Sequence, residues 1–330
     1  MLILLAGSLT LILQRWVGGA TIYQQSRSTR RAMFHDAILH NRIPPPYTSW
    51  QEIGANRDNV RIATVYFVES LHRMTKWDVL KIYEVVDTVA LFLLFLLSFV
   101  YLRGTSSAVY ALCGILYLAA IMPLTYFNAV FHPWDRVSLL CWIALLILLR
   151  SQRLIAFTML LAVSITVKFD TIVLPALYLL ANVSSGNWFS ILFRSAGMFG
   201  VALAVLTALR ILLPGGFEDR TFVTQLTMNF DDFRTAPLSY PPFLAFVVPV
   251  ALALMGLRLS DRFSKASVLL GVLLFVPFLV TTNFIEVRAE LPVLVLLLPS
   301  VLTALRILCA SGQDDERDVQ LGDRASRRKA

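Results

Sequence analysis

Long apolar runs, separated by short polar turns, dominate this chain. They cover residues 1–13, 82–102, 109–127, 137–149, 188–213, 243–257, 266–281 and 291–308, with one further run, 154–180, that is interrupted in its middle. A helix needs about 20 apolar residues to cross a hydrocarbon core of about 30 Å, so the pattern predicts an all-α polytopic transmembrane bundle of about ten spans. Strand-type alternation is absent, which excludes a barrel.

The interrupted run is the anomaly. Leu154 to Leu180 is too long for one span and too short for two ordinary ones, and Lys168-Phe169-Asp170 stands at its centre. One tilted helix would hold Lys168 and Asp170 near mid-membrane, at a cost only a wet cavity would offset. The spacing predicts instead two short helices meeting at that tripeptide, with Pro175 soon after.

Two polar segments change the picture next. Residues 21–82 form the longest polar stretch, carrying Arg30-Arg31, His35-Asp36, Arg42, Pro44-Pro45-Pro46, Arg57-Asp58 and Glu69. A loop that long is usually functional. Within it, Ile62, Val65, Tyr66, Val68 and Leu71 recur at helical spacing, which predicts an amphipathic helix lying on the membrane as a roof. The second segment runs from Tyr126 to Arg136 and packs His132-Pro133-Trp134-Asp135-Arg136 into one turn. Its proline ends the preceding helix and its tryptophan suits the headgroup level. The plainer alternative makes Trp134 an interfacial anchor, Asp135 a helix cap and Arg136 a partner of lipid phosphate. Glu84 and Asp87 likewise either face a cavity or cap and orient the following span.

Composition agrees with a membrane protein: 57% of residues are hydrophobic, 15% are charged, and the mean hydropathy is +0.70. The net charge of +8 is scattered over short loops and the tail, so topology rather than a nucleic-acid partner explains it. Cys113, Cys141 and Cys309 sit in apolar runs at unrelated spacings, and His132 has no partner at ligand spacing. No metal site or cofactor is therefore expected, although a divalent ion is not excluded.

If each span reverses direction, Arg103, Arg150, Arg153, Arg258, Arg262 and Lys265 share one side, the cytoplasmic one by the positive-inside rule. The opposite face then receives the 21–82 loop, the His132–Asp135 turn, Lys168–Asp170, Asp231-Asp232 and Glu286-Val287-Arg288. Residues 1–312 form the membrane domain in this reading, and 313–330 a charged tail without aromatics, expected to be disordered.

Carboxylates, cations and an apolar cavity at one membrane face suit a lipid-linked substrate. The lipid tail would lie between helices, and a cation would meet its phosphate at headgroup level. A carboxylate could take the proton of an attacking hydroxyl. His132, Asp135, Arg136, Lys168, Asp170, Glu286 and Arg288 are the candidate substrate-binding residues. Two rivals remain open: a transporter or flippase of a lipid-linked saccharide, and a non-catalytic subunit that docks a protein partner through the 21–82 loop.

Several features together resemble the GT-C superfamily of multi-spanning glycosyltransferases. They are the long acidic first external loop, the Pro133-Trp134-Asp135 turn after the third span, Lys168 breaking two short helices, and Glu286-Val287-Arg288 before the last span. The resemblance implies inverting transfer of a sugar from a polyprenyl phosphate at the external face of a bacterial inner membrane, as in building cell-envelope polysaccharide. Its partners would be the lipid-phosphate-linked sugar and membrane lipids, and a metal is needed only in some branches. It also implies a catalytic carboxylate in the first external loop, where Asp36 and then Asp58 are the matching positions.

Overall fold

The computed structural model describes residues 1–19, 31–33, 35–40, 42, 62–129, 134–183, 187–212, 227, 231, 234, 240–281 and 287–327. The described residues are mostly helical, with no strand among them. In chain order the helices are α1 (Leu2–Gly19), α2 (Ile62–Thr75), α3 (Val79–Arg103), α4 (Ala108–Ile121), α5 (Asp135–Arg150), α6 (Leu154–Val167), α7 (Leu174–Asn182), α8 (Trp188–Leu212), α9 (Tyr240–Gly256), α10 (Arg262–Thr281) and α11 (Val287–Arg327). Residues 31–33 and 35–40 are also helical. The boundary expected at 312 between membrane domain and tail falls inside α11.

Four stretches among the described residues are long and apolar enough to cross a membrane: Val79–Arg103, Ala108–Thr125, Trp188–Leu212 and Glu290–Ala310. Leu2–Arg15, Leu154–Val167, Phe169–Asn182 and Ala245–Leu259 are apolar but shorter. Apolar runs counted along a sequence ignore where the backbone breaks. After Ile121 the chain tightens into a 3₁₀ stretch, Met122–Ala129, with Pro123 in its first turn, so α4 itself has only 14 residues.

Local chemistry sets the helix ends. Asp78 caps α3, its carboxylate accepting from the N–H groups of Leu80 and Lys81, so neither Glu84 nor Asp87 caps that helix. Asp135 does not act as a cap either; it is the first residue of α5, and Trp134 precedes it without a side-chain cap bond.

The apolar part of α11 runs through the interior, with residues 290–302 all buried, and it packs against α9, α10, α4 and α5. Around it, Leu94, Phe95, Trp142, Leu146 and Phe157 fill the core. At the basic end, Arg150 donates to the Gly104 carbonyl at 2.8 Å and to Asp261 Oδ2 at 2.6 Å. That clamp joins the ends of α3 and α5 to the start of α10, so three of the expected basic positions, 103, 150 and 262, do share an end.

The two short helices expected in the 154–180 run are α6 and α7, and the break lies at Lys168, whose backbone is extended (φ −163°, ψ 127°). A 3₁₀ turn, Phe169–Val173, leads into α7, whose first turn contains Pro175.

Candidate functional site

The end opposite the Arg150 clamp gathers the polar side chains. The helical residues 31–33 and 35–40 and α2 close over the start of α5 and the end of α6, where Ala37, Ile38, Val65, Trp134 and Val167 form one buried apolar cluster. The helix expected around Ile62–Leu71 is thus present and half-buried, with one correction to its buried face. Thr64, Val65 and Val68 point inward, whereas Tyr66, expected inward, is 45% exposed beside the exposed Phe67.

Beneath this roof lies Lys168, whose side chain is only 13% exposed. Its Nζ stands 3.1 Å from Asp170 Oδ2 and 3.9 Å from Asp135 Oδ1. The other Asp170 oxygen accepts from Trp142 Nε1 at 3.1 Å, which fixes the carboxylate against α5. Arg136 is buried and donates to Thr125 Oγ1 at 2.9 Å and Met122 Sδ at 2.8 Å, tying α5 to the preceding 3₁₀ stretch. Trp134 is fully buried. The plainer reading of this turn, with an interfacial tryptophan and a lipid-facing arginine, does not describe these side chains.

Of the residues expected at the site, the structure thus brings together Asp135, Lys168 and Asp170, with Arg136 next in the chain but bonded to the 3₁₀ stretch. Asp36 sits on the roof but outside this cluster. Its side chain is 39% exposed and is held by His40 Nδ1 at 3.0 Å and Arg42 at 3.3 Å. Asp58, His132 and Glu286 lie outside the described residues, as does the side chain of Arg288.

A second polar network couples the roof to α3. His35 is buried, with Nδ1 3.1 Å from the Tyr83 hydroxyl and Nε2 3.3 Å from Glu69 Oε2. Glu69 also takes a 2.6 Å hydrogen bond from Arg73 Nε, one helical turn away. Burial lowers the pKa of His35 below its ordinary value, partly offset by Glu69. The Arg73 hydrogen bond holds the Glu69 carboxyl below its own. One turn deeper, Asp87 Oδ2 accepts from Gln14 Nε2 at 3.0 Å and lies 3.7 Å from Arg31, whose guanidinium stacks over Tyr83. Sequence spacing signals only the Glu69/Arg73 pair, four residues apart. Arg31 and Asp87 meet across 56 positions of chain, which no local pattern reports.

On the outer face of α3, Lys81, Glu84, Val85, Thr88 and Val89 line a shallow groove. It lies on the opposite side of the helix from the buried Tyr83 and Asp87. Among the described residues no group of three or more His, Cys, Asp or Glu side chains could hold a metal ion. No protein-family model, curated protein or solved structure matches this chain.

The assembled groups offer a cation at a helix break, carboxylates on both sides of it, and apolar helices below. A lysine so placed has the charge to meet an anion in exchange for its carboxylates. The buried His35–Glu69 pair holds the roof in register above it.

Proposed function

We propose that this chain is a membrane glycosyltransferase, moving a sugar from a polyprenyl phosphate to an acceptor at the face where Lys168 lies. The observation that supports the reading is Lys168 at the break between two short apolar helices, flanked by Asp135 and Asp170 beneath an amphipathic roof. A cation there would neutralise charge on the departing phosphate, and the surrounding helices would receive the prenyl tail. Asp36, accessible on the roof, and Asp58 are the base candidates within this reading. The face is taken as external, the membrane as a bacterial inner membrane, and the four shorter apolar helices together with α5 and α10 as completing about ten crossings. No resident metal is invoked.

Charge placement supports this reading over a flippase. Among the described residues the ion pairs lie near Lys168 and near Arg150, with Arg31–Asp87 one turn deeper than Tyr83 in α3, rather than along the depth of several helices. The test is reconstitution of the full chain in vesicles with a panel of labelled polyprenyl-phosphate sugars. Transfer would release free polyprenyl phosphate, and Lys168→Ala would abolish the release. Movement of intact donor between leaflets would replace transfer with transport. Retention of turnover in both Asp36→Ala and Asp58→Ala would remove those two bases.

A further inference from the structure

Among the described residues the buried and half-buried carboxylates are partnered, with one exception. Glu69 has Arg73 and His35, Asp87 has Arg31 and Gln14, Asp135 has Lys168, and Asp170 has Lys168 and Trp142. Glu290 has none. It is 0% exposed, and neither Oε1 nor Oε2 takes part in a hydrogen bond. Leu291, Val293 and Leu294, which follow it, are 2% exposed or less. A negative charge in such surroundings would carry the full cost of desolvation with nothing to offset it, whereas the neutral acid loses far less.

The packing places Glu290 at the polar end. It lies in the first turn of α11, and that helix packs against the Met122–Ala129 stretch whose Met122 and Thr125 receive Arg136. Ionisable groups on the elements around α11 are few at this end. α10 has none beyond its first turn, α9 contributes Tyr240, and the 3₁₀ stretch contributes Tyr126. Along α4, Tyr117 gives its hydroxyl to the Ala245 carbonyl, and Tyr110 and Cys113 lie nearer its start. α5 brings Asp135 and Arg136, engaged as described, and Cys141. Glu286 and Arg288 precede Glu290 in the chain.

We propose that Glu290 is a proton-binding site. Its carboxyl is carried as the neutral acid in the resting protein. The ligand is a hydron, so the inference stands apart from any sugar transfer.

The experiment uses the full chain in phospholipid vesicles and dicyclohexylcarbodiimide. That lipid-soluble reagent adds the O–H of a carboxylic acid across its C=N bond and then rearranges to a stable N-acylurea, with no leaving group. Peptide mass spectrometry should find the adduct on Glu290 and not on Asp87, Asp135 or Asp170, and Glu290→Gln should lose it. Because the amide mimics the neutral acid, Glu290→Gln should also leave the thermal unfolding midpoint unchanged. Three results would overturn the proposal. The first is an unlabelled Glu290 in wild-type protein. The second is labelling by a water-soluble carbodiimide as fast as by the lipid-soluble one. The third is a lowered midpoint for Glu290→Gln, which would reveal a charged partner.

Discussion

Ser164 Oγ and Thr171 Oγ1 lie 2.7 Å apart, although they are seven positions apart in the chain. In a continuous α-helix that separation is about 10 Å along the axis. The pair therefore marks a reversal: α6 and the 3₁₀ turn before α7 fold back on each other, and Lys168 stands at the apex. This is how a lysine in an apolar stretch reaches the polar end instead of the membrane interior.

The two hydroxyls are not equivalent, and their removal should cost different amounts. Ser164 Oγ also donates to the Leu161 carbonyl at 2.9 Å, so Thr171→Val leaves it with a partner. Ser164→Ala strands the Thr171 hydroxyl, which is 0% exposed, and should destabilise by about 1–3 kcal/mol, with Thr171→Val clearly milder. Thermal unfolding of the single and double variants in one detergent checks the order. Equal losses would mean that the hydroxyl pair does not hold the reversal.

Lys168 serves Asp135 and Asp170 together, so its loss should be felt by both. Lys168→Met leaves two largely buried carboxylates without their cation, and breaking a buried pair in this way costs about 3–5 kcal/mol. Asp170→Asn should cost less, because the amide oxygen still accepts from Trp142 Nε1. Lys168→Met/Asp170→Asn should recover part of the Lys168→Met loss, a coupling that a double-mutant cycle on unfolding midpoints reads directly. Additive losses would put the lysine's effect elsewhere.

The Lys168 break was legible in the sequence because its cause is local: a charge pair in an apolar run has few places to go. The roof helix was legible for the same reason, from the spacing of Ile62, Val65 and Val68. Tyr66 was misplaced because periodicity gives a face only to within a residue or so, and an amphipathic ring tolerates exposure. Crossing lengths were less legible, since hydropathy does not see the change of backbone at Met122 that shortens α4. Arg31–Asp87 and Tyr83–His35 were invisible, being products of tertiary packing between distant segments. Glu290 stands just before the apolar run 291–308, and nothing in the local pattern marks it as buried.

Acid should loosen the roof through His35. Its folded pKa lies below the ordinary 6.5, so near and below that value the unfolded chain binds more protons than the native one. The contribution of neutral His35 is therefore fully present above about pH 6.5 and is lost as the pH falls below it. Glu69 is depressed too, and its contribution is lost only below the ordinary carboxylate value of 4.5. Between about pH 7.5 and about pH 5.5 the unfolding midpoint should fall, and His35→Gln should flatten that slope while leaving the more acidic one. An unchanged slope in His35→Gln would assign the effect to another group.

Glycines at two places in the bundle should respond to alanine with opposite signs. A Cβ on Gly256 would fall 2.1 Å from the Ser300 carbonyl oxygen and 2.9 Å from the Ala304 nitrogen, both backbone atoms that cannot swing aside. The Ser260 and Ser300 hydroxyls are bonded at 2.9 Å at the same crossing, so separating α9 from α11 also strains that contact. Gly256→Ala should therefore cost at least about 1–3 kcal/mol, as overpacking does in a close-packed core. Gly197 and Gly200 lie in α8 with nothing within 4 Å of an added Cβ. Alanine there only removes backbone freedom from the unfolded chain, and each substitution should stabilise by about 0.5–1 kcal/mol. Unfolding midpoints of the three variants in the same detergent decide the matter. A tolerated Gly256→Ala would show that α9 and α11 do not meet backbone to backbone at Ser300.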